Sequence, residues 1–308
     1  MIKVLIIGCG AVGSVLAVRL SKVAYVTGYD IDRSVSSTFN KFGIRIIKDE
    51  SCIEMAKIHI YSDARALKRN YFDLIVLATK AYDTIAAART IKTWLNFKWI
   101  LTIQNGYGNI QALSRFINPA SIFCSVMTMA AQKISPGKTN LFYEGEIYFS
   151  SCLKTNKDAS EKIGFLFSKS GFKIRMTNNC EGMIWSKLIF NAVMNPIPIL
   201  LRDGYDAISK NKEVFRLVHE GVCEGKALAK RLGIRLVFDP LRIIRMIERG
   251  LLGPLEHKGS MFDDVTAGRK SEIDFLTGAI IKKAKRVGFR VPVLETIYLL
   301  INAIEKRT

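Results

Sequence analysis

The chain has few of the residues that build metal centres and disulfide frameworks. Three histidines occur in 308 residues, His59, His219 and His257, and no two of them stand four apart, where one helix face could offer both to an ion. The six cysteines (Cys9, Cys52, Cys124, Cys152, Cys180, Cys223) are scattered, with no C-x-x-C pair. That excludes a zinc-ribbon pattern and reads as reduced thiols of a cytoplasmic protein. Asp263 and Asp264 are adjacent, but nothing near them supplies further ligands, so no metal is expected. Long apolar runs are missing as well: none reaches the ~18 residues of a membrane-crossing helix. The first apolar run is too short for a signal peptide. Acidic residues number 27 against 46 Lys and Arg, a net charge of +19. The basic residues form no block and do not interleave with aromatics, so nucleic acid is not expected as a main partner. A basic surface does favour small anionic ligands. With 49% hydrophobic and 24% charged residues, the composition is that of a globular protein long enough for two domains.

What is present begins at once. Val4 to Ile7 is a β-branched apolar run that reads as a strand buried on both faces. Gly8, Cys9, Gly10, Ala11, Val12 and Gly13 then spell G-x-G-x-x-G, and Val15, Leu16, Val18 and Leu20 come after them at helical spacing. Gly8 permits the tight turn, Gly10 lets a pyrophosphate approach the backbone, and Gly13 lets helix and strand pack closely. The first N–H groups of the helix would hold the phosphates. A second strand, around 24–29, leads to Asp30, twenty residues past Gly10. There a carboxylate can accept hydrogen bonds from an adenosine ribose and repels a 2′-phosphate. This favours NADH over NADPH, with Arg33 as the competing element that could meet the phosphate.

Segments 43–48 and 58–61 alternate loosely and suggest a small antiparallel or edge excursion. Segment 72–79 is a buried parallel strand ending at Thr79-Lys80, and 99–103 is another, ending at Gln104-Asn105-Gly106. Residues at such carboxyl ends face the ligand crevice of a doubly wound sheet, which places Lys80 and Asn105 there. Segments 122–127 and 146–150 continue the sheet around a turn at 135–138, and a last extended piece covers 172–176. Beyond residue 178 the pattern turns helical: 180 to about 200, broken at Pro196 and Pro198, then 213–232, 240–249, 271–287 and 293–306. Gly233 and Gly288 read as helix stops. The expected architecture is α/β, a Rossmann-type doubly wound sheet over 1–178, followed by an all-α C-terminal domain over 179–308 that caps the substrate.

In the helical half, Lys187, Asn191 and Asn195 are each four residues apart and share one helix face. Their neighbours Ile184, Leu188, Ile189, Val193 and Met194 are apolar. One cation and two amides on such a helix are poor for stability and useful for a ligand, unless the stripe is simply solvated. A lysine against a substrate carbonyl can donate a proton, the more so if burial lowers its pKa. Ser260 and Glu272 form a second cluster of interest, with a helix cap and a surface charge as their ordinary readings.

Taken together, these segments resemble the ketopantoate reductases (2-dehydropantoate 2-reductases) over nearly the whole chain. The likeness rests on the N-terminal G-C-G-A-V-G, Thr79-Lys80-Ala81, Asn105-Gly106 and Thr128-Met129-Ala130-Ala131. It continues in Lys187 with Asn191 and Asn195-Pro196, and in Ser260-Met261 with Glu272-Ile273-Asp274 after it. The resemblance implies NAD(P)H-dependent reduction of 2-dehydropantoate to pantoate for coenzyme A synthesis. Lys187 would be the general acid. Asn105, Asn191, Asn195 and Ser260 would hold the substrate, and Glu272 would orient it or position Lys187. Lys80, Asn105 and Ala131 would line the cofactor. Family members that use NADPH often carry arginine at the end of the second strand, where this chain has Asp30-Ile31. Two other readings stand beside this one. The first is a two-domain dehydrogenase for another 2-oxo or hydroxy acid, and the second is a non-catalytic dinucleotide-binding redox sensor. The oligomeric state is open, a homodimer included.

Overall fold

The computed structural model describes all residues except 136, 153–156, 252–256 and 308. It divides into two compact units, Met1–Gln104 with Gly108–Cys180, and Asn105–Tyr107 with Glu181–Thr308. The division at 180/181 lies two residues beyond the expected boundary, and the tripeptide Asn105–Tyr107 goes with the second unit.

The first unit holds twelve strands among its described residues: β1 (Lys3–Ile7), β2 (Tyr25–Tyr29), β3 (Ile44–Lys48), β4 (Ser51–Ala56), β5 (His59–Tyr61), β6 (Tyr71–Leu77), β7 (Asn96–Thr102), β8 (Ile122–Met127), β9 (Ala130–Ser135), β10 (Lys138–Tyr143), β11 (Ile147–Ser151) and β12 (Ile174–Met176). Its helices are α1 (Ala11–Leu20), α2 (Arg33–Phe42), α3 (Thr84–Trp94), α4 (Asn109–Leu113) and α5 (Lys157–Lys169). Eight strands form one sheet in the order β12-β11-β8-β7-β6-β1-β2-β5. Every pairing in it is parallel except β11 with β8. Alternate residues of β1 serve opposite faces, as the period of a strand requires. Val4 and Ile6 join one core cluster, and Leu5 and Ile7 join another. From β1 the chain first builds outward through β2, then returns to add β6 on the other side. The reversal puts the carboxyl ends of β1 and β6 together at a topological switch point, where sheets of this kind bind ligands.

A second sheet, ordered β4-β3-β10-β9, departs from the expected single excursion. Segment 43–48 does give β3, but 58–61 gives β5, which joins the main sheet beside β2 in parallel. The strands β4, β9 and β10 have no counterpart in the sequence reading, because β10 is drafted by a parallel pairing to β3 from far along the chain (Lys138 opposite Arg45). The expected turn at 135–138 contains residue 136, which lies outside the described residues; Ser135 and Lys138 on either side of it are paired. Helix α1 is tied to this sheet by the buried Arg19 guanidinium, 2.9 Å from Glu54 and 3.3 Å from Glu144.

Among its described residues the second unit is helical: α6 (Cys180–Met194, entered from the last residue of the first unit), α7 (Ile197–Leu201), α8 (Ala207–Lys210), α9 (Lys212–Arg231), α10 (Pro240–Glu248), α11 (Gly259–Thr266), α12 (Thr277–Arg286) and α13 (Pro292–Glu305). Gly225 of α9 allows close packing on α6, since a Cβ there would come within 2.9 Å of Ile189. Pro196 ends α6 as expected, because it has no N–H to give the carbonyl four residues back. That orphaned acceptor, Ala192 O, instead receives the buried Thr277 hydroxyl at 2.7 Å. The helix expected over 271–287 is interrupted. A short 3-10 turn covers Ile273–Phe275 and α12 begins at Thr277, because the Phe275 carbonyl is taken by Tyr107 N–H at 2.9 Å. Taken through its break, 180–201 is long and apolar enough to cross a membrane by length and composition, a correction to the sequence reading. However, 67% of its tested 18-residue stretch is buried in the protein.

Thr277→Val should remove the hydroxyl that answers Ala192 and cost about 1–3 kcal/mol of stability. Thr277→Ser should recover most of it. Urea unfolding midpoints of the two variants check this.

Candidate active site

The glycine turn comes directly after β1. Gly8 has φ +90, and a Cβ there would lie 2.8 Å from Thr79 N, so only glycine lets the two strand ends meet. A Cβ on Gly13 would strike the Gly8 carbonyl. Around Gly10, by contrast, a Cβ would meet no protein atom within 4 Å. Gly10 is exposed and stands as the N-cap of α1, with no side chain capping that helix end. An open helix N-terminus beside backbone that needs no side chain suits a pyrophosphate. Ala11 and Val12 are half-buried in the first turn, and Cys9 is buried. Burial, with the Asp30 carboxylate adding to it, pushes the Cys9 thiol up, so it stays protonated.

Asp30 has a part in the turn itself. Its Oδ2 accepts the Cys9 N–H at 2.8 Å and its Oδ1 accepts the Asp32 N–H at 3.0 Å. Each oxygen keeps a second lone pair for another donor. Arg33, the competing element, is exposed at the start of α2. At the end of β6, Lys80 is half-buried at the N-terminal end of the short turn Ala81–Asp83. Gln104, buried at the end of β7, donates to Thr79 O at 3.1 Å and to Lys80 O at 3.2 Å. Its amide oxygen accepts the Thr102 hydroxyl at 3.0 Å. This clamp was not among the expected site residues; its signal was a lone amide at the end of an apolar strand. Ala131 lies on β9, half-buried against the core of the first unit.

In the second unit the amides come together. Asn191, 3% exposed, donates from Nδ2 to Asn105 Oδ1 at 3.1 Å, so the polar stripe of α6 faces inward here. The next two residues, Gly106 and Tyr107, hold Asn105 in place. Gly106 has φ +90, and a Cβ there would lie 2.8 Å from Phe275 O; Tyr107 is bonded to that same carbonyl and packs edge-on to the buried Trp185, ring centroids 6.0 Å apart. Lys187, one turn before Asn191, is half-buried, with its ammonium 4.8 Å from the Phe190 ring centre. Desolvation pushes its pKa down to about 8. Among the described residues it forms no ion pair, with Glu272 or any other carboxylate. Asn195 continues the same face, its N–H bonded to Asn191 O at 3.1 Å. Glu272 is 7% exposed and opens the turn that holds Tyr107. Ser260 is exposed in the first turn of α11, where Lys258 and not Ser260 is the cap.

The model of the family "Ketopantoate reductase PanE/ApbA" matches residues 4–153, and that of its C-terminal domain matches residues 179–305. The chain belongs to the ketopantoate reductase family. Membership makes it an oxidoreductase with a Rossmann-type cofactor domain. The 2-dehydropantoate 2-reductase of Pyrococcus abyssi is 28% identical, over 98% of each chain. Among solved structures, D-mandelate dehydrogenase in a ternary complex with NADH and anilino(oxo)acetate is 25% identical, with a TM-score of 0.90 over 99% of both chains. The PanE/ApbA family ketopantoate reductase from Ralstonia eutropha JMP134 shares the fold at 24% identity, with a TM-score of 0.86 over 99% of both.

Gly10→Ala adds a methyl that touches no protein atom, so unfolding stability should change by no more than about 0.5 kcal/mol. Dinucleotide affinity should fall at least ~10-fold if the methyl occupies the space a phosphate needs. Nucleotide fluorescence titration beside a denaturation curve measures both.

Proposed function

We propose that the protein reduces the ketone of 2-dehydropantoate to pantoate, with NADH favoured over NADPH and Lys187 as the proton donor. The observation that carries this reading is an ammonium desolvated on an apolar helix, without a carboxylate partner among the described residues and with its pKa near 8. A nicotinamide cofactor, when bound, supplies the hydride. Gly10 leaves room for its pyrophosphate, Gly8 and Gly13 let the backbone around it close up, and the N–H groups of Ala11 and Val12 lie in the stretch that would meet it, beside Cys9. Asp30 would read the ribose with the lone pairs left over from the turn. Lys80, Asn105 and Ala131 would line the rest of the site.

As negative charge gathers on the substrate oxygen, a cation in a dry setting stabilises it strongly and then gives up its proton. A donor whose pKa lies near 8 transfers that proton far more readily than an ordinary lysine. Asn105 and Asn191, bonded to each other, would hold the substrate together with Asn195 and Ser260. Glu272, buried and not paired with Lys187, would orient the substrate. The likeness to D-mandelate dehydrogenase, which binds NADH, supports the cofactor preference. It also favours a second reading, in which the substrate is another 2-oxo acid with a bulkier substituent. We place the protein in the cytoplasm, acting on a small anionic substrate without membrane or nucleic acid, as a monomer or homodimer.

Lys187→Ala should lower kcat at least ~100-fold. In the unaltered protein kcat for ketone reduction should hold below pH 8 and fall about tenfold per unit above it, since the proton-bearing form disappears as pH rises through the pKa. Steady-state assays of 2-dehydropantoate against other 2-oxo acids, with both cofactors, separate the two readings; no turnover of 2-dehydropantoate removes the first. Asp30→Ala should narrow the preference for NADH, measured as the ratio of kcat/KM values.

A further inference from the structure

In the first unit the carboxyl end of β5 lies beside that of β2. Tyr61 pairs in register with Tyr29, and the Asp30 N–H donates to Tyr61 O at 3.0 Å. Asp63 therefore stands two residues beyond the point where β5 meets Asp30. Helix α2 fixes the same edge from its side. Asn40 accepts the Ile60 N–H at 2.8 Å and donates to Ile60 O at 2.9 Å.

Three carboxylates (Asp30, Asp32, Asp63) and two guanidiniums (Arg33, Arg65) follow these strand ends. Asp30 braces the glycine turn, and Asp32 caps α2 by accepting the Ser34 N–H at 2.8 Å. Asp63 does two things. Its Oδ1 accepts the Arg65 N–H at 2.9 Å, which caps the short 3-10 turn Ala64–Leu67, itself anchored by the buried Ala64 and Leu67. Its two oxygens also hold the Arg65 side chain, with Nε at 3.0 and 2.9 Å and Nη2 at 2.7 Å. Sequence reading did not single out Arg65, because it reaches the edge at Asp30 through the pairing of β2 with β5 and not through nearness in the chain.

We propose that Asp63 is a specificity-determining residue: by holding the Arg65 guanidinium it keeps that cation from the 2′-phosphate of NADPH. The inference rests on the reading of Asp30 as the residue beside the adenosine ribose. An arginine near the ribose is the ordinary means of accommodating a 2′-phosphate. A guanidinium meets phosphate and carboxylate with the same planar fork of donors, and here the Nε and Nη2 edge of the fork is spent on Asp63. An exposed ion pair is weak by itself. In this one the acceptor is already oriented by the backbone of the turn, so that only the arginine has to be ordered. The bonds from Arg65 hold the Asp63 carboxyl below the ordinary carboxylate range, so it is ionised at neutral pH. Taking away a negative charge would in itself favour a phosphate, and the test separates that effect from release of the arginine.

The test measures dinucleotide binding to the full-length protein by nicotinamide fluorescence, without substrate, as the ratio of Kd for NADPH to Kd for NADH. Asp63→Asn keeps an oxygen for the Arg65 N–H but loses the charge that holds the guanidinium. The ratio should then fall at least ~10-fold, as a charge-assisted contact to the phosphate forms. Adding Arg65→Ala to Asp63→Asn should restore most of the original ratio. A ratio that Asp63→Asn leaves where it was, or one that stays low after Arg65→Ala is added, would overturn the proposal while the cofactor reading stands. Unaltered protein that binds neither dinucleotide would remove the cofactor reading, and this inference with it.

Discussion

A cation on an apolar helix, without a counter-charge among the described residues, is the constraint around which the account of the second unit turns. Taking an ammonium out of water disfavours its charged form, and among the described residues neither an ion pair nor a hydrogen-bonded carboxylate offsets that loss for Lys187. The helix that carries it must therefore be stabilised by other contacts. Ser186 sits beside it, fully buried, donating to Gly182 O at 2.8 Å and accepting N–H groups from Val237 and Phe238 at 2.9 and 3.2 Å. Gly225 lets α9 close on Ile189, and Thr277 satisfies the carbonyl that Pro196 leaves open. These contacts keep the lysine in surroundings that a flexible helix would not preserve. In the proposed reaction that cost in stability would become useful as the substrate develops negative charge beside Lys187.

The glycine turn obeys a different principle. Its proposed role in cofactor binding rests on the absence of side chains and on a fixed backbone. Asp30 supplies much of that fixity, with one oxygen on Cys9 N–H and the other on Asp32 N–H. A residue expected to read the ribose is thus also a brace for the loop, and the proposed ribose contacts would use other lone pairs of the same carboxylate. Gln104 plays the matching part at the ends of β6 and β7.

How much of this was legible beforehand depended on how local the signal was. The strand–glycine–helix start, the stop at Pro196 and the closures at Gly233 and Gly288 (φ +71 and +62) each rest on a few neighbouring residues, and each is where the sequence put it. The second sheet was not legible, since β3 and β10 find each other across some ninety residues and their alternation is weak. The break before α12 was hidden for the same reason: Phe275 gives its carbonyl to Tyr107, which no helical pattern within 271–287 announces. Asn105 was recognised at a strand end, but its membership of the second unit comes from Gly106 fitting against Phe275, a contact between distant segments. Lys187, Asn191 and Asn195 were legible as a face. That the face turns inward at Asn191 needed the partner amide to be seen.

Direct titration of the Lys187 ammonium tests the central claim. With lysine side chains labelled at the ε position, its NMR shift should move with a midpoint near pH 8, below the ordinary lysine value of about 10.4. A midpoint for Lys187 among those of the exposed lysines would mean that the ammonium is solvated, and would contradict the account.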